Sequence, residues 1–329
     1  AAPRQLSMGV VHGLAALTVA GMISVRCKRS IAWTLPLTVC LAMPMLLGLA
    51  MVKQLALVDA LAWLVLFAAA AWLGYCAVRN HAAWHGMVKD VQAYVWTPAL
   101  LCFVLLAVFW SYASQNRVPL DVDEYSYWAT AVRSLYLSGG FTDGAHTCTY
   151  LHGSYPPGMH LLEWWGMHAL GTWREGMLYT VCFLTNTVFM LPLMARITWR
   201  RGWVVPVFVI SAIALPTVFT GFAYTMLTTD STLGVLFGAL LFTVWQARDN
   251  QTRFDDWMVA ALLVAPVLTK RSGVLWAAGG LVLMGLLWSE GSLGVRIRRW
   301  LLIGLPATLV WLGWQSYCAM AGLSEVHDT

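Results

Sequence analysis

Charge is what this chain has least of. Asp, Glu, Lys and Arg make up 11% of 329 residues, against 60% hydrophobic residues and a mean hydropathy of +0.68. A water-soluble core of this size cannot bury so much apolar surface, so the bilayer is the expected solvent for most of it. Other absences narrow the function. No glycine-rich loop of the kind that cradles phosphates occurs on the side read below as cytoplasmic, so ATP or nucleotide-sugar chemistry there lacks support. Nothing marks a nucleophilic serine, and no internal repeat or low-complexity tract is visible. Of the seven cysteines, Cys40, Cys76, Cys102, Cys182 and Cys318 fall within hydrophobic segments and Cys27 beside one. That leaves Cys148 alone outside, so no external disulfide can close within the chain.

What is there is a series of long apolar segments. A crossing takes about 20 mostly apolar residues at a rise of about 1.5 Å each. Ten segments qualify as spans: 8–25, 31–51, 56–78, 94–113, 176–195, 203–221, 230–247, 256–269, 273–288 and 300–321. The eighth is the shortest and runs straight into Lys270-Arg271, so it either stops there or continues through them. The predicted fold is therefore an all-α polytopic membrane protein of about ten transmembrane helices. The first span is long and runs into a basic loop, which suits a retained helix rather than a cleaved signal peptide.

Orientation follows from the basic residues. Arg26, Lys28, Arg29, Arg196, Arg200, Arg201, Arg296, Arg298 and Arg299 all fall in loops that would share one side. By the positive-inside rule that side is cytoplasmic and both chain ends face out; the plasma membrane is the expected location. The net charge of +5 then reflects orientation in a membrane, and no nucleic-acid partner is expected.

Two regions are expected: residues 1–93, an N-terminal three-span segment, and 94–329, a seven-span module with a large outer loop at 114–175. The chain stops soon after its last span, which predicts further sequence beyond 329. Within the outer loop, Trp128, Val132 and Leu135 recur at helical spacing, so residues 124–138 read as an amphipathic helix closed by Gly139-Gly140. A second helix should follow Tyr155-Pro156-Pro157-Gly158, with Leu162, Trp165 and Ala169 on one face. Trp164, Trp165 and Trp173 suit the headgroup level, so both helices are expected to lie along the outer membrane surface.

Asp121-Val122-Asp123-Glu124 opens the first of these helices, directly after a span. Three carboxylates within four residues repel one another, in a chain that holds only 15 Asp and Glu, and such crowding calls for a task. The helix N-terminus favours an ionised carboxylate, giving a base charged at neutral pH. The plainer alternative is that these acids cap the helix by accepting free backbone N–H groups. Asp230 opens the seventh span within Leu227-Thr228-Thr229-Asp230, and it too is either a functional acid or a cap. Lys270 and Arg271 are cations on the side where cations are disfavoured. They would bind a phosphate, or else lipid headgroups. His160 and His168 lie eight apart on the second helix, whereas a metal pair needs a spacing of three or four, so polar contacts are the expected role.

In this order the motifs resemble the GT-C superfamily of membrane glycosyltransferases, closest to the protein O-mannosyltransferase and aminoarabinose transferase kind. Val122-Asp123-Glu124-Tyr125 is similar to the family's Asp-Glu motif in its first outer loop. Tyr155-Pro156-Pro157-Gly158 resembles its Pro-Pro element, and Leu268-Thr269-Lys270-Arg271 its Leu-Thr-Lys-Gly stretch. The chain departs at two places: Tyr155 stands where some relatives carry Lys, and Arg271 where Gly is usual. The resemblance covers about residues 94–321.

It implies transfer of a sugar from a polyprenyl-phosphate donor to an acceptor hydroxyl on a glycan, lipid or protein, outside the cell and beside the lipid. Asp123 would be the base, with Glu124 and Asp230 orienting the acceptor or holding Asp123. Lys270 and Arg271 would meet the leaving phosphate, and Asp121, His152, Tyr155 and His160 would be the substrate contacts. A divalent cation, Mg²⁺ or Mn²⁺, is an optional cofactor for such carboxylates. The competing classes are a transporter or flippase for lipid-linked substrates and a non-catalytic membrane scaffold. A transporter would place its ionisable residues near the membrane midplane and often show repeated halves.

Overall fold

The computed structural model describes residues 2–142, 153–219, 226–288 and 291–323, whose regular elements are all helices, with no strand among them. Thirteen α-helices follow in order among the described residues: α1 (Ala2–Cys27), α2 (Ile31–Met51), α3 (Leu57–Arg79), α4 (His81–Asp90), α5 (Pro98–Ser114), α6 (Ala129–Ser138), α7 (Gly158–Leu170), α8 (Glu175–Met190), α9 (Val204–Phe219), α10 (Thr229–Ala247), α11 (Arg253–Thr269), α12 (Gly273–Leu287) and α13 (Leu293–Ala321). Two single π-helical turns, Val91–Val95 and Glu124–Trp128, interrupt the pattern.

Five helices are long and apolar enough to cross a membrane: Met8–Cys27, Ile31–Met51, Leu57–Arg79, Glu175–Met194 and Thr229–Ala247. A sixth qualifies if His81–Val95 and Pro98–Ser114, bent by 60° at Thr97, count as one span. Thr97-Pro98 explains the break, because proline sits at the first helical position and forces the residue before it out of the helical region. The remaining predicted spans are helical but differ in kind. Val204–Val218 and Gly273–Leu287 are apolar and short. The last two residues of the predicted span 203–221 lie outside the described residues. Helix α13 carries Arg296, Arg298 and Arg299 in its first turns. The eighth segment ends where its length suggested: α11 stops at Thr269, and Lys270 is extended, with φ −154° and ψ 152°.

The helices start where their capping chemistry allows. The Ser30 hydroxyl accepts the N–H of Ala32 at the head of α2. Thr252 and Asp255 form a reciprocal capping box that opens α11. Helix α11 is the hub: its residues from Met258 to Thr269 are nearly all buried against α2, α10, α12 and α13. By contrast α3 is apolar all round yet buries only Val58, Ala62 and Cys76, leaving Leu64, Phe67 and Trp72 exposed. A helix that is apolar on every face and unburied by its own chain suits a lipid surrounding.

The N-terminal segment shares the main core with the rest, because Met43, Leu46 and Leu47 of α2 pack in one cluster with residues of α6, α7, α8 and α11. Residues 124–138 are helical, as the π turn followed by α6, with Trp128, Val132 and Leu135 buried and the helix closed by Gly139 at φ 69°. The second loop helix, α7, begins at Gly158, but it is not one-sided. It is wedged among α1, α2, α6, α8 and α11, with Met159 through Trp164 all buried. Trp164 and Trp165, expected at headgroup level, are used inside the protein: Trp164 stacks on His168 and Trp165 donates to His12.

The bundle has two chemically distinct ends. The end of α5 meets the start of α8, where Gly176 lies against the Ser114 carbonyl. The segment leading into α10 bonds Glu124, and the turn after α11 bonds Asp230. This is the acidic end. The opposite ends of the same helices gather Lys28, Arg29 and Arg196 around a cavity, and this is the basic end.

Candidate functional site

The three clustered carboxylates have three different jobs. Glu124 is 2% exposed and accepts four hydrogen bonds. Its Oε2 takes the N–H groups of Leu120 (2.9 Å) and Asp121 (3.1 Å), and its Oε1 takes the Tyr179 hydroxyl (2.9 Å) and the N–H of Leu227 (2.7 Å). The reach back to Asp121 is the acidic half of a capping box. The Asp121 Oδ1 accepts the N–H of Asp123 at 3.0 Å, capping the same turn. Asp123 remains: its carboxylate is exposed and makes no hydrogen bond or ion pair among the described residues. The capping reading therefore describes Asp121 and Glu124, and the functional one is left to Asp123. The turn that carries them, Glu124–Trp128, is π-helical, with the N–H of Ala129 reaching the Glu124 carbonyl. Such bulges occur often at functional sites because they re-aim side chains.

A closed circuit of contacts ties this turn to the other predicted site residues. Glu124 holds Leu227, three residues before Asp230. Asp230 is paired with Lys270 by a short contact between carboxylate and ammonium. The next residue, Arg271, donates to the Ser154 hydroxyl at 2.8 Å, and Trp314 donates to the Ser154 carbonyl at 3.1 Å. Tyr155 then packs edge-on against Tyr127 and Trp128, at 5.4 and 5.6 Å, on the π turn itself. The start of α7 is seated on the Leu268 backbone, where a Cβ on Gly158 would come within 2.7 Å of the carbonyl oxygen. The structure thus gathers Asp121, Asp123, Glu124, Tyr155, Asp230, Lys270 and Arg271 at one end of the bundle. His152 lies outside the described residues.

His160 is placed in the interior, behind the acidic turn and not on an open face. It stacks on Trp128 at 5.2 Å and meets Tyr127 edge-on at 5.1 Å, and its Nε2 has no hydrogen-bond partner among the described residues. Burial pushes its pKa down to about 3, so it is neutral there. The space bounded by Tyr127, Tyr155, His160 and Trp314 is about 10 Å³, close to the minimum for a single water. One turn further on, Glu163 is buried, with its Oε2 unpartnered among the described residues, and burial raises its pKa well above the usual range. Glu163 was not singled out in the sequence, where an acid between Leu162 and Trp164 reads as an ordinary helical residue.

A second polar cluster escaped the sequence altogether. The Asp59 Oδ1 accepts from His12 Nε2 at 2.8 Å and from His168 Nε2 at 2.9 Å, joining α1, α3 and α7. Its members come from three distant segments, so no spacing rule could find it. The ligand-type atoms lie within 4.8 Å of one another, which is compact enough for a metal. The proton positions oppose one. The indole N–H of Trp165 can only donate, and it does so to His12 Nδ1 at 2.9 Å. His12 therefore carries its proton on Nε2, the atom a metal would need, and gives it to Asp59. His168 meets Asp59 as the polar contact expected of it. Among the described residues, Asp121, Asp123, Glu124 and Asp230 form no comparable three-ligand group.

No family profile, no curated protein and no solved structure matches this chain.

Proposed function

We propose that the chain is a membrane glycosyltransferase that moves a sugar from a polyprenyl-phosphate donor to an acceptor hydroxyl. The observation that carries this is the division of labour in the acidic turn. Asp121 and Glu124 are consumed in fixing the backbone, and Asp123 is left exposed and unpaired at a helix start, on the same end of the bundle as Lys270 and Arg271. Asp123 takes the proton from the acceptor hydroxyl as its oxygen attacks the anomeric carbon. The bond from that carbon to the lipid phosphate breaks on the opposite face, which inverts the centre. Lys270 and Arg271 offset the charge on the departing phosphate. Asp230 holds the Lys270 ammonium in place until a phosphate competes for it.

The topology belongs to the same proposal: about ten crossings of the plasma membrane, with the acidic end facing outward. What supports it is that the predicted cytoplasmic loops carry most of the Lys and Arg while the three-acid cluster falls on the other side. A transporter is less well supported because the exposed acids sit at a helix start, not along a span.

The test is sugar transfer by the purified protein in nanodiscs, using a panel of polyprenyl-phosphate sugars with and without Mg²⁺, Mn²⁺ or chelator. Wild type should release polyprenyl phosphate and Asp123→Asn should not. A wild-type protein that consumes no donor under any of these conditions points to the transporter or the scaffold.

A further inference from the structure

A cavity with several polar and basic residues on its walls lies at the end away from Asp123. It measures about 650 Å³ and opens where the α1–α2 turn, the break before α5, the turn after α8 and the α10–α11 turn come together. That volume is in the range of small-molecule sites, about 300–1,000 Å³. Its distance from the acidic end is set by α10, whose 19 residues span about 28 Å. The cavity takes no part in the transfer proposed above.

Its lining is basic. Lys28, Arg29 and Arg196 face one carboxylate, Asp255. That carboxylate is already engaged: it accepts the Thr252 N–H at 2.8 Å and hydroxyl at 2.6 Å, and pairs with Arg29 at 3.4 Å. Lys28 and Arg196 are exposed at the cavity and make no ion pair among the described residues. The Thr97 hydroxyl, also on the wall, is buried without a hydrogen-bond partner among the described residues. Tyr94, Trp96 and Trp199 supply the apolar rim. Trp199 donates to the Trp96 carbonyl at 2.8 Å, which fixes one side of the mouth.

Lys28 adds an independent observation. It closes α1 at φ 52°, in the left-handed region where glycine is the default and a side chain is strained. A lysine held there against its backbone preference places an ammonium at the cavity, and strain of this kind gathers at ligand clamps.

We propose that this cavity is a phosphate-binding site, built at the junction of the N-terminal segment with the remaining helices and holding the phosphate between Lys28 and Arg196. Arg supplies a planar fork and Lys a point charge, the pair suited to a phosphate that carries a further group into a 650 Å³ space. The phosphate comes either from an anionic lipid headgroup at the interface or from a soluble phosphorylated molecule.

The experiment uses the full chain in nanodiscs and reads thermal unfolding and native mass spectra. Inorganic phosphate added to phosphatidylcholine discs tests the soluble source, and phosphatidylglycerol against phosphatidylcholine tests the lipid source. Either ligand should stabilise the wild type, and the affinity should fall at least about tenfold in Lys28→Gln/Arg196→Gln. Lys28→Gly separates binding from folding: glycine relieves the strain, so this variant should unfold no earlier without ligand, yet bind phosphate more weakly. The proposal is overturned if wild type responds to neither phosphate nor phosphatidylglycerol, or if Lys28→Gly and the double variant bind as wild type does.

Discussion

The exposed carboxylate of Asp123 and the buried one of its neighbour make opposite predictions. Glu124 accepts four hydrogen bonds in a buried site, and an amide cannot replace it. Whichever way Gln is turned, its NH₂ faces backbone N–H groups, those of Leu120 and Asp121 or that of Leu227. Glu124→Gln should therefore destabilise the fold by about 3 kcal/mol, seen as earlier unfolding with any activity lost in parallel. Asp230 differs again. Its pairing with Lys270 is largely open to solvent, with the acid 68% exposed, so the bridge adds little stability and its value is positional.

His160 gives this end of the molecule a pH signature. Its pKa is held near 3 in the fold against an ordinary value of 6.5, so its contribution is present above 6.5 and is lost as pH falls towards 3. Glu163 works in the other sense, because its raised pKa makes stability fall as pH rises above its ordinary 4.5. The clean quantity is the difference between wild type and His160→Gln. Relative to the variant, wild type should lose up to about 1.4 kcal/mol per pH unit below 6.5, measured by denaturation at fixed ionic strength. A pH-independent difference would mean that the imidazole is not buried in its neutral form.

At the scale of helices, the sequence shows starts, stops and apolar faces but not which helices meet. Gly139 as a stop, a helix after the Pro156-Pro157 turn and the apolar stripe of Trp128, Val132 and Leu135 were legible, because capping and periodicity are local. The burial of α7 on nearly every side was not legible, because Leu162 and Trp164 look the same whether they face lipid or α11. The cap role of Asp121 and Glu124 was readable as an alternative, but assigning it to these two and sparing Asp123 required the positions of Tyr179 and Leu227. The clamp of α1, α3 and α7 on Asp59 depends wholly on tertiary contact. Asp59→Ala would strand the Nε2–H of His12, which is 3% exposed, and should cost about 1–3 kcal/mol. Zn²⁺ added to the wild type should leave its unfolding temperature unchanged, because the cluster is held by hydrogen bonds.

At the scale of the whole molecule, the helices place two kinds of chemistry at opposite ends. The acidic end is closed by the circuit from Glu124 through Leu227, Asp230, Lys270, Arg271 and Ser154 to Tyr155. The basic end holds a cavity at the junction with the N-terminal segment. Composition made the membrane class plain, since so few charges among so many apolar residues leave little else. Five helices meet the length and hydropathy of a span outright. The others are shorter, broken by Thr97-Pro98 or charged at one end.

The measurement that bears most directly on this account is release of polyprenyl phosphate in nanodiscs by wild type against Asp123→Asn, with unfolding followed on the same samples. The rate should fall on the order of 10²–10⁴-fold at unchanged stability, the usual loss of a general base. Equal rates in the two proteins would contradict the role given to Asp123.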